Sequence, residues 1–288
     1  MDATLPPTDD EDRLLAAFAK APWEGLGRRA LGDARAVPTM LSEAEQKLYY
    51  WLAAFWCEGA GEIVDLGCFA GGSTARLAEG HRAAGLGSGI HAFDRFTADE
   101  KVKSSILYKQ GVEPFDGEDI LPLAQSLLAP WAPAITYHRG EIDGMTWDGG
   151  PIEMLVMDAS KAAGTMDAMS AAFMPHLVPG RSLLVQQDYL HWSQPWVPAQ
   201  MERMAGCFRP IAHAPRDTLV FLCTAPVTSD ILEAGRTADA SDEALLSDLE
   251  AARERFREWG LADRLQETID GLRANPGKRR AFQFRRPG

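Results

Sequence analysis

The stretch IVDLGCFAGGST, residues 63–74, constrains the fold of this 288-residue chain more than any other feature. An apolar run containing Asp65 leads directly into a glycine-rich turn, and a Ser-Thr pair suited to a helix start follows the turn. Glycine permits positive φ and lets a ligand approach the backbone closely. The N–H groups at the start of a helix are free to bind such a ligand. The stretch therefore predicts a strand, a tight turn and a helix that together hold a ligand.

Similar apolar runs recur along the chain and alternate with helical patterns. The runs occupy residues 63–66, 90–94, 135–140, 152–158 and 182–188. Strands that are apolar almost throughout and alternate with helices are typical of a parallel sheet covered on both faces. Two further runs, at residues 208–214 and 218–224, predict a closing antiparallel strand. We therefore predict an α/β fold with a doubly wound, mostly parallel sheet.

The segments on either side of the predicted sheet have different patterns. Residues 1–60 are expected to form a polar tail and a helical cap, in which Ser42 and Glu45 make a capping-box pattern. Residues 61–225 are expected to form the core. Residues 226–288 are expected to form a helical extension that ends in a basic tail.

The C-terminal extension contains two helical patterns with apolar faces. The first face carries residues at alternating spacings of four and three, namely Leu245, Leu249, Ala252, Phe256 and Trp259. A hairpin of two such helices packs either on the core or on a second copy of the chain, so a homodimer is one prediction. The basic tail is expected to be solvated or docked on its own chain, with a nucleic-acid-binding arm as the alternative.

Charge and composition exclude several classes of protein. The formal net charge is −12 and the pI is about 5.0, which argues against tight nucleic-acid binding because that needs a basic face. The four cysteines are far apart and form no CxxC pair, which disfavours a disulfide framework or a cysteine zinc site. There is no signal-peptide pattern and no run of eighteen apolar residues, so we expect a soluble cytoplasmic protein without membrane contact.

A carboxylate lies at or just after the end of each predicted parallel strand. The five residues are Asp65, Asp94, Glu141, Asp158 and Asp188. Each by itself is explained as a cap or turn residue, but sheets of this kind bind ligands at the carboxyl ends of their strands. The turn lacks the GxGxxG spacing of a dinucleotide site. The negative charge of Asp65 disfavours a phosphate and favours a cationic or amine-bearing ligand.

The stretch DLGCFAGGST resembles the first motif of class I S-adenosylmethionine-dependent methyltransferases, whose fold is Rossmann-like. The resemblance continues in order through residues 63–224, and the form with Phe69 is most similar to the macrocin-type and catechol-type O-methyltransferase branch. The resemblance implies that S-adenosylmethionine is the cofactor and that Asp94 binds its ribose hydroxyls, with Arg95 beside it. It also implies a set of further cofactor-binding residues: Asp65, Gly67, Phe69, Gly71, Gly72, Ser73, Glu141 and Asp158.

The stretch MDASK, residues 157–161, is similar to the catechol-type pattern in which a metal-binding aspartate precedes a lysine base. The resemblance implies Lys161 as a base and a Mg²⁺ site formed by Asp158, Gln187 and Asp188. The catechol-type pattern has aspartate and asparagine where this chain has Gln187 and Asp188, so the same residues form either an altered metal site or a metal-free polar network. His191 is the second candidate base. A solvated lysine and a loop histidine bonded to a carbonyl are the alternatives.

These observations predict an S-adenosylmethionine-dependent O-methyltransferase acting on a small hydroxylated acceptor. The resemblance favours a sugar or a glycosylated or natural-product metabolite, with Mg²⁺ assistance left open. The alternative is a methyltransferase-fold binding or scaffold protein without catalysis. The missing GxGxxG pattern disfavours a nicotinamide oxidoreductase.

Overall fold

The computed structural model describes residues 15–287, and within them seven strands form one sheet. The strands are β1 (Glu62–Leu66), β2 (Ile90–Asp94), β3 (Ile135–Arg139), β4 (Ile152–Met157), β5 (Leu183–Gln186), β6 (Phe208–Ala214) and β7 (Thr218–Cys223). Their spatial order is β3-β2-β1-β4-β5-β7-β6. Neighbouring strands are parallel from β3 to β5, and β7 is antiparallel to both β5 and β6. The predicted Rossmann-like, mostly parallel sheet with a closing antiparallel strand is confirmed.

Helices connect and flank the strands. Those with both ends among the described residues are α1 (Glu43–Trp51), α2 (Gly72–Ala84), α3 (Glu100–Val102), α4 (Leu121–Leu127), α5 (Ala163–Phe173), α6 (Trp196–Arg203), α7 (Ser229–Gly235), α8 (Asp242–Arg255) and α9 (Ala262–Ala274). The capping box at the start of α1 is formed as predicted, because the side chains of Ser42 and Glu45 each bond the other's backbone N–H. Across residues 15–287, no helix is long and apolar enough to cross a membrane.

The two faces of the sheet carry separate apolar clusters. Ile63 and Met154 belong to the cluster covered by α1 and α2, whereas Val64 and Leu155 belong to the cluster covered by α5, α6, α8 and α9. Neighbouring residues of one strand fall in opposite clusters because strand side chains alternate between faces. The burial of apolar strands on both sides explains why the sequence runs are almost continuously hydrophobic.

The C-terminal helices pack on the sheet of their own chain. Leu245, Leu249, Phe256 and Leu265 have no exposed surface and belong to the same cluster as Val64. Of the two alternatives for this hairpin, packing on the core is therefore the one observed. Homodimerisation and the three-part division of the chain remain predictions.

The ends of β5 and α5 are set by the local geometry of the chain. β5 ends at Gln186 instead of residue 188, because the chain turns there and the N–H of His191 donates to the carbonyl of Asp188 over 3.0 Å. α5 ends at Phe173, and the chain continues as a 3₁₀ turn. Pro175 lies in that turn and has no N–H to continue an α-helix.

Candidate ligand-binding site

The glycine-rich turn joins β1 to α2 at the point where the strand order reverses. Gly67 has φ of 102°, and a Cβ placed there would lie 3.0 Å from the carbonyl carbon of Asp158. Gly71 has φ of 95°. A Cβ on Gly72 would lie 2.7 Å from the carbonyl oxygen of Pro38. Glycine is therefore required here both by backbone conformation and by close packing against β4 and the N-terminal segment.

Asp65 is fully buried near the end of β1. Its Oδ2 accepts hydrogen bonds from Ser73 Oγ at 2.7 Å and Thr74 Oγ1 at 2.6 Å. Its Oδ1 is buried and has no hydrogen-bond partner among residues 15–287. Burial raises the pKa of Asp65 to about 6, although the two hydroxyl groups oppose the shift. A buried carboxylate oxygen without a partner is unfavourable, so this oxygen is suited to a hydrogen bond from an ordered water, through which the charge of Asp65 acts on a ligand at the turn.

Asp94 ends β2 and is fixed by two backbone groups of the turn region. Its Oδ1 accepts from the N–H of Phe96 at 2.6 Å, and its Oδ2 accepts from the N–H of Phe69 at 3.0 Å. Burial raises the pKa of Asp94, and these two hydrogen bonds oppose the shift. Each carboxylate oxygen keeps a second lone pair for a ligand. Phe69 itself has φ of 50°, an unusual value for a residue other than glycine.

Half of the predicted site residues line one cavity of about 450 Å³, a volume typical of small-molecule sites. Those that line it are Gly67, Phe69, Asp94, Arg95, Glu141, Asp158 and Lys161. Arg95 and Glu141 are exposed at its edge, with Arg95 Nη1 3.9 Å from Glu141 Oε1. A smaller adjoining pocket adds Gly72 and Ser73. Five of the predicted residues line neither pocket, namely Asp65, Gly71, Gln187, Asp188 and His191.

Lys161 bridges two of the predicted metal ligands. Its Nζ lies 3.2 Å from Asp158 Oδ1 and also pairs with Asp188 Oδ2. Burial acts to lower the pKa of Lys161, but the two carboxylates outweigh it and raise the pKa above its ordinary value. Burial raises the pKa of Asp158 to about 7, and Lys161 opposes this shift. Lys161 is therefore held as an ammonium at neutral pH, and Asp158 is poised to exchange a proton.

Gln187, the third predicted metal ligand, is committed to a different set of contacts. Its Oε1 accepts a hydrogen bond from Tyr49 Oη at 2.5 Å and lies 2.9 Å from Thr218 Oγ1. Its Nε2 donates to Glu45 Oε1 at 3.0 Å. Its main-chain carbonyl lies 3.3 Å from Thr218 Oγ1. The Gln187 side chain therefore fastens β5 to α1 and does not join Asp158 and Asp188.

The predicted Mg²⁺ ligand set is not supported. Asp158 and Asp188 both face the Lys161 ammonium, and Gln187 is bonded elsewhere. In the part of the chain that the structure describes, no three or more His, Cys, Asp or Glu side chains are grouped so as to hold a metal. Six oxygen ligands are typical of Mg²⁺, and two carboxylates already paired with a lysine do not fit that requirement. The metal-free polar network is the alternative that the contacts favour.

His191, the second candidate base, lies in the turn after β5 and is not among the residues that line the cavity. Its Nδ1 is 3.0 Å from Ser193 Oγ, and its ring lies 6.4 Å from the ring of Trp192. These contacts are those of a residue that shapes a loop. Its role as a base stays a prediction.

The C-terminal tail lines the cavity, which the sequence analysis did not predict. Here the tail means residues 277–287, and Arg280 and Phe282 from it line the cavity together with Met40 from the N-terminal segment. The tail is docked on its own chain, because the N–H of Ala281 donates to the carbonyl of Lys161 at 2.8 Å. The one available signal was the cluster of arginines, and a cluster of charge does not specify where a tail docks.

No protein family matches the sequence, and a search of curated proteins finds no matching sequence. Several solved structures have a similar fold. A TDP-rhamnose 3'-O-methyltransferase of calicheamicin biosynthesis is 11% identical, with 77% of this chain and 99% of that chain covered and a TM-score of 0.45.

Two other similar structures contain S-adenosylhomocysteine. A Podospora anserina methyltransferase is 14% identical, with 88% of this chain and 91% of that chain covered and a TM-score of 0.38. A phosphoethanolamine N-methyltransferase of Haemonchus contortus is 10% identical, with 87% of this chain and 55% of that chain covered and a TM-score of 0.43. At identities this low a function has to be inferred from the site itself.

Proposed function

We propose that the protein binds S-adenosylmethionine and transfers its methyl group to a hydroxyl of a small acceptor. The observation that carries this proposal is Asp65, a buried carboxylate with one unpartnered oxygen behind the glycine turn at the switch point of the sheet. A phosphate ligand is disfavoured there by charge. A ligand with an ammonium and a sulfonium is favoured, because a cation offsets the unfavourable burial of the carboxylate.

The remaining parts of the proposed cofactor fit the other side chains at the two strand ends. The N–H groups at the start of α2, which have no partner within the helix, and the close backbone approach allowed by the turn suit the amino-acid carboxylate of the cofactor. Asp94 keeps two free lone pairs at the cavity and suits the two hydroxyls of the ribose. Glu141 and Ile142 line the cavity beyond β3 and are assigned to the adenine end.

Methyl transfer depends mainly on positioning and on disposal of one proton. Bound S-adenosylmethionine supplies an electrophilic methyl group on sulfur. The acceptor oxygen must lie in line with the bond between this methyl group and the sulfur. Asp158, with a pKa of about 7, is suited to take the hydroxyl proton near neutral pH. The Lys161 ammonium stabilises the negative charge that develops on the acceptor oxygen. This assignment gives Lys161 the charge role that Mg²⁺ has in the predicted site.

Two substitutions distinguish this role of Lys161 from that of a base. Lys161→Arg keeps the positive charge but cannot accept a proton at neutral pH, whereas Lys161→Met removes both. We expect Lys161→Arg to keep a substantial part of the turnover and Lys161→Met to lose it. Turnover by the wild-type protein is expected not to change when EDTA is added. Equal loss in both variants would instead support Lys161 as the base, and inhibition by EDTA reversed by Mg²⁺ would support the metal site.

Calorimetry tests cofactor binding without knowledge of the acceptor. We expect micromolar binding of S-adenosylmethionine and S-adenosylhomocysteine by the wild-type protein and loss of binding in Asp94→Ala. Asp230→Ala, a substitution of an exposed aspartate outside the site, serves as the matched control. NAD is expected to give no heat. A folded wild-type protein that binds neither compound would overturn the proposal.

The alternative is a binding or scaffold protein with the same fold. The salt bridges that occupy Asp158, Lys161 and Asp188 favour it, since none of the three groups is free of a partner. Binding of S-adenosylmethionine without methyl transfer to any hydroxylated acceptor would support this alternative. Consumption of S-adenosylmethionine that depends on an acceptor would exclude it.

A further inference from the structure

We propose that Arg280 of the C-terminal tail forms, with Phe282, a subsite for an anionic group of the acceptor. The anionic group is a phosphate or a carboxylate, both of which a guanidinium binds with two parallel hydrogen bonds. This inference rests on the proposed function in one respect, since it assigns the rest of the cavity to S-adenosylmethionine.

The backbone of the tail is fixed against the loop that follows β4. The N–H of Ala163 donates to the carbonyl of Arg279 at 3.0 Å, and the N–H of Ala281 donates to the carbonyl of Lys161 at 2.8 Å. Arg280 lies between these two bonds and forms an antiparallel bridge with Ala162. Its place at the cavity is therefore set by backbone contacts and does not depend on its own side chain.

Side chains on both sides of Arg280 anchor the tail further. Arg279 Nη1 donates to Asp242 Oδ1 at 2.7 Å, which ties the tail to the start of α8. Asn275 bonds both the N–H and the carbonyl of Arg285 at 2.9 Å. Phe284 is almost buried, with its ring 6.0 Å from that of Trp196. The tail is thus a built part of the cavity wall.

Arg280 differs from the other cations of the cavity in having no anionic partner. Lys161 is paired with Asp158 and Asp188, and Arg95 lies 3.9 Å from Glu141. Arg280 forms no ion pair with any residue in the range 15–287, although Arg279 next to it is paired. Asp94 and Asp143 also line the cavity, and neither contacts the guanidinium. The guanidinium is consequently available to a ligand.

The proposed cofactor does not account for a free guanidinium in this part of the cavity. Its only anionic group is the amino-acid carboxylate, which is assigned to the glycine turn, and its ribose and adenine are uncharged. The anion that Arg280 binds must then come from the acceptor. Because Ala281 is bonded to the backbone of Lys161, an acceptor held by Arg280 lies next to the groups assigned to its hydroxyl.

Phe282 is consistent with an acceptor at this place. Its side chain is 78% exposed and lines the cavity. A large exposed aromatic ring beside a guanidinium offers a flat apolar surface against which a sugar face or an aromatic ring can pack. The acceptor class is therefore a hydroxylated compound with an anionic group and an apolar or planar face.

Anion titration tests the role of Arg280 without the natural acceptor. Pyrophosphate and benzoate are titrated by calorimetry into the full-length protein with and without S-adenosylhomocysteine, in the wild type, Arg280→Ala and Arg280→Lys. We expect saturable binding of at least one anion, weakened about tenfold or more in Arg280→Ala. Arg280→Lys is expected to fall between the two. Which anion binds distinguishes a phosphate-bearing acceptor from a carboxylate-bearing one.

Arg285→Ala is the matched control, because it removes the same charge from the same tail at an exposed residue that does not line the cavity. It is expected to bind the anions and S-adenosylhomocysteine as the wild type does. Absence of saturable binding of both anions by the wild type, or equal binding by Arg280→Ala, would overturn the inference. If S-adenosylhomocysteine fails to bind, the proposed function fails, and the titration of the free protein still decides the role of Arg280.

Discussion

The cavity has two sides that are built in different ways. The turn side consists of residues 65–73 with Asp94, and the lysine side consists of Asp158, Lys161 and Asp188 with the C-terminal tail. On the turn side, Asp65 bonds Ser73 eight residues away and Asp94 bonds Phe69 twenty-five residues away. On the lysine side, the neighbouring Gln187 bonds Glu45, which is 142 residues away.

This difference in sequence separation determines what each side can tolerate. The turn side depends on backbone conformation, so it is sensitive to any added side chain atom. The lysine side depends on charge and on contacts between distant segments, so it is sensitive to loss of a partner. The four predictions below test this contrast, beginning with the largest expected effect.

The largest effect is expected from Gly67→Ala on the turn side. Gly67 has φ of 102°, which is strained for alanine, and the added Cβ would lie 3.0 Å from the carbonyl carbon of Asp158. We expect the free energy of unfolding to fall by about 3 kcal/mol and cofactor binding to be lost. Thermal unfolding and calorimetry measure the two effects.

Gly85→Ala is the matched control for Gly67→Ala. Gly85 also has positive φ, 67°, but a Cβ there would meet no atom within 4 Å. It is expected to lower the free energy of unfolding by about 1 kcal/mol and to leave cofactor binding intact. Equal effects of the two substitutions would show that close packing against β4 does not matter.

The second prediction concerns the buried network behind the lysine side. Glu45 is 1% exposed and accepts hydrogen bonds from Gln187 and Thr218. Glu45→Ala leaves the Gln187 amide without its acceptor and removes the capping-box bond to the N–H of Ser42, so it is expected to lower the free energy of unfolding by about 2 kcal/mol. Glu43→Ala in the same helix turn removes a more exposed carboxylate and is expected to change the free energy of unfolding by less than about 0.5 kcal/mol. Denaturant unfolding that gave the same result for both would contradict the assigned network.

The third prediction is a pH dependence of cofactor affinity. The pKa of Asp65 is raised to about 6, so this group gains a proton as the pH falls through 6 in the free protein. Only the ionised form attracts a cationic ligand, so affinity is full above pH 7 and is expected to be about tenfold weaker at pH 5. Protonation of Asp94, whose pKa is also raised, acts in the same direction. Calorimetry at pH 5, 6 and 7.5 measures the effect, and a flat profile would contradict it.

The smallest effect is expected from His191→Ala. The residue is outside the cavity lining and its Nδ1 contacts Ser193. Cofactor affinity and turnover are expected to stay within about twofold of the wild type. A turnover loss of a hundredfold with unchanged thermal stability would restore His191 as the base.

The strands and the glycine turn could be predicted from the sequence because their signals are local. Gly67, Asp65 and Ser73 lie in one short stretch, and an apolar run needs no distant partner to be recognised. The contacts of the Gln187 side chain could not be predicted from the sequence, because they depend on the orientation of Glu45, the capping-box glutamate of α1, toward β5. The place of Arg280 was equally hidden, because it follows from main-chain bonds that no residue type specifies.

The central claim is that Asp65 recognises a cationic ligand at the glycine turn. The most direct measurement is the calorimetric affinity of S-adenosylmethionine for the wild-type protein and for Asp65→Asn, which keeps the side chain shape and removes the charge. We expect micromolar binding by the wild type and a loss of about tenfold or more in Asp65→Asn. Equal affinity in the two proteins, or no binding by a folded wild type, would contradict it.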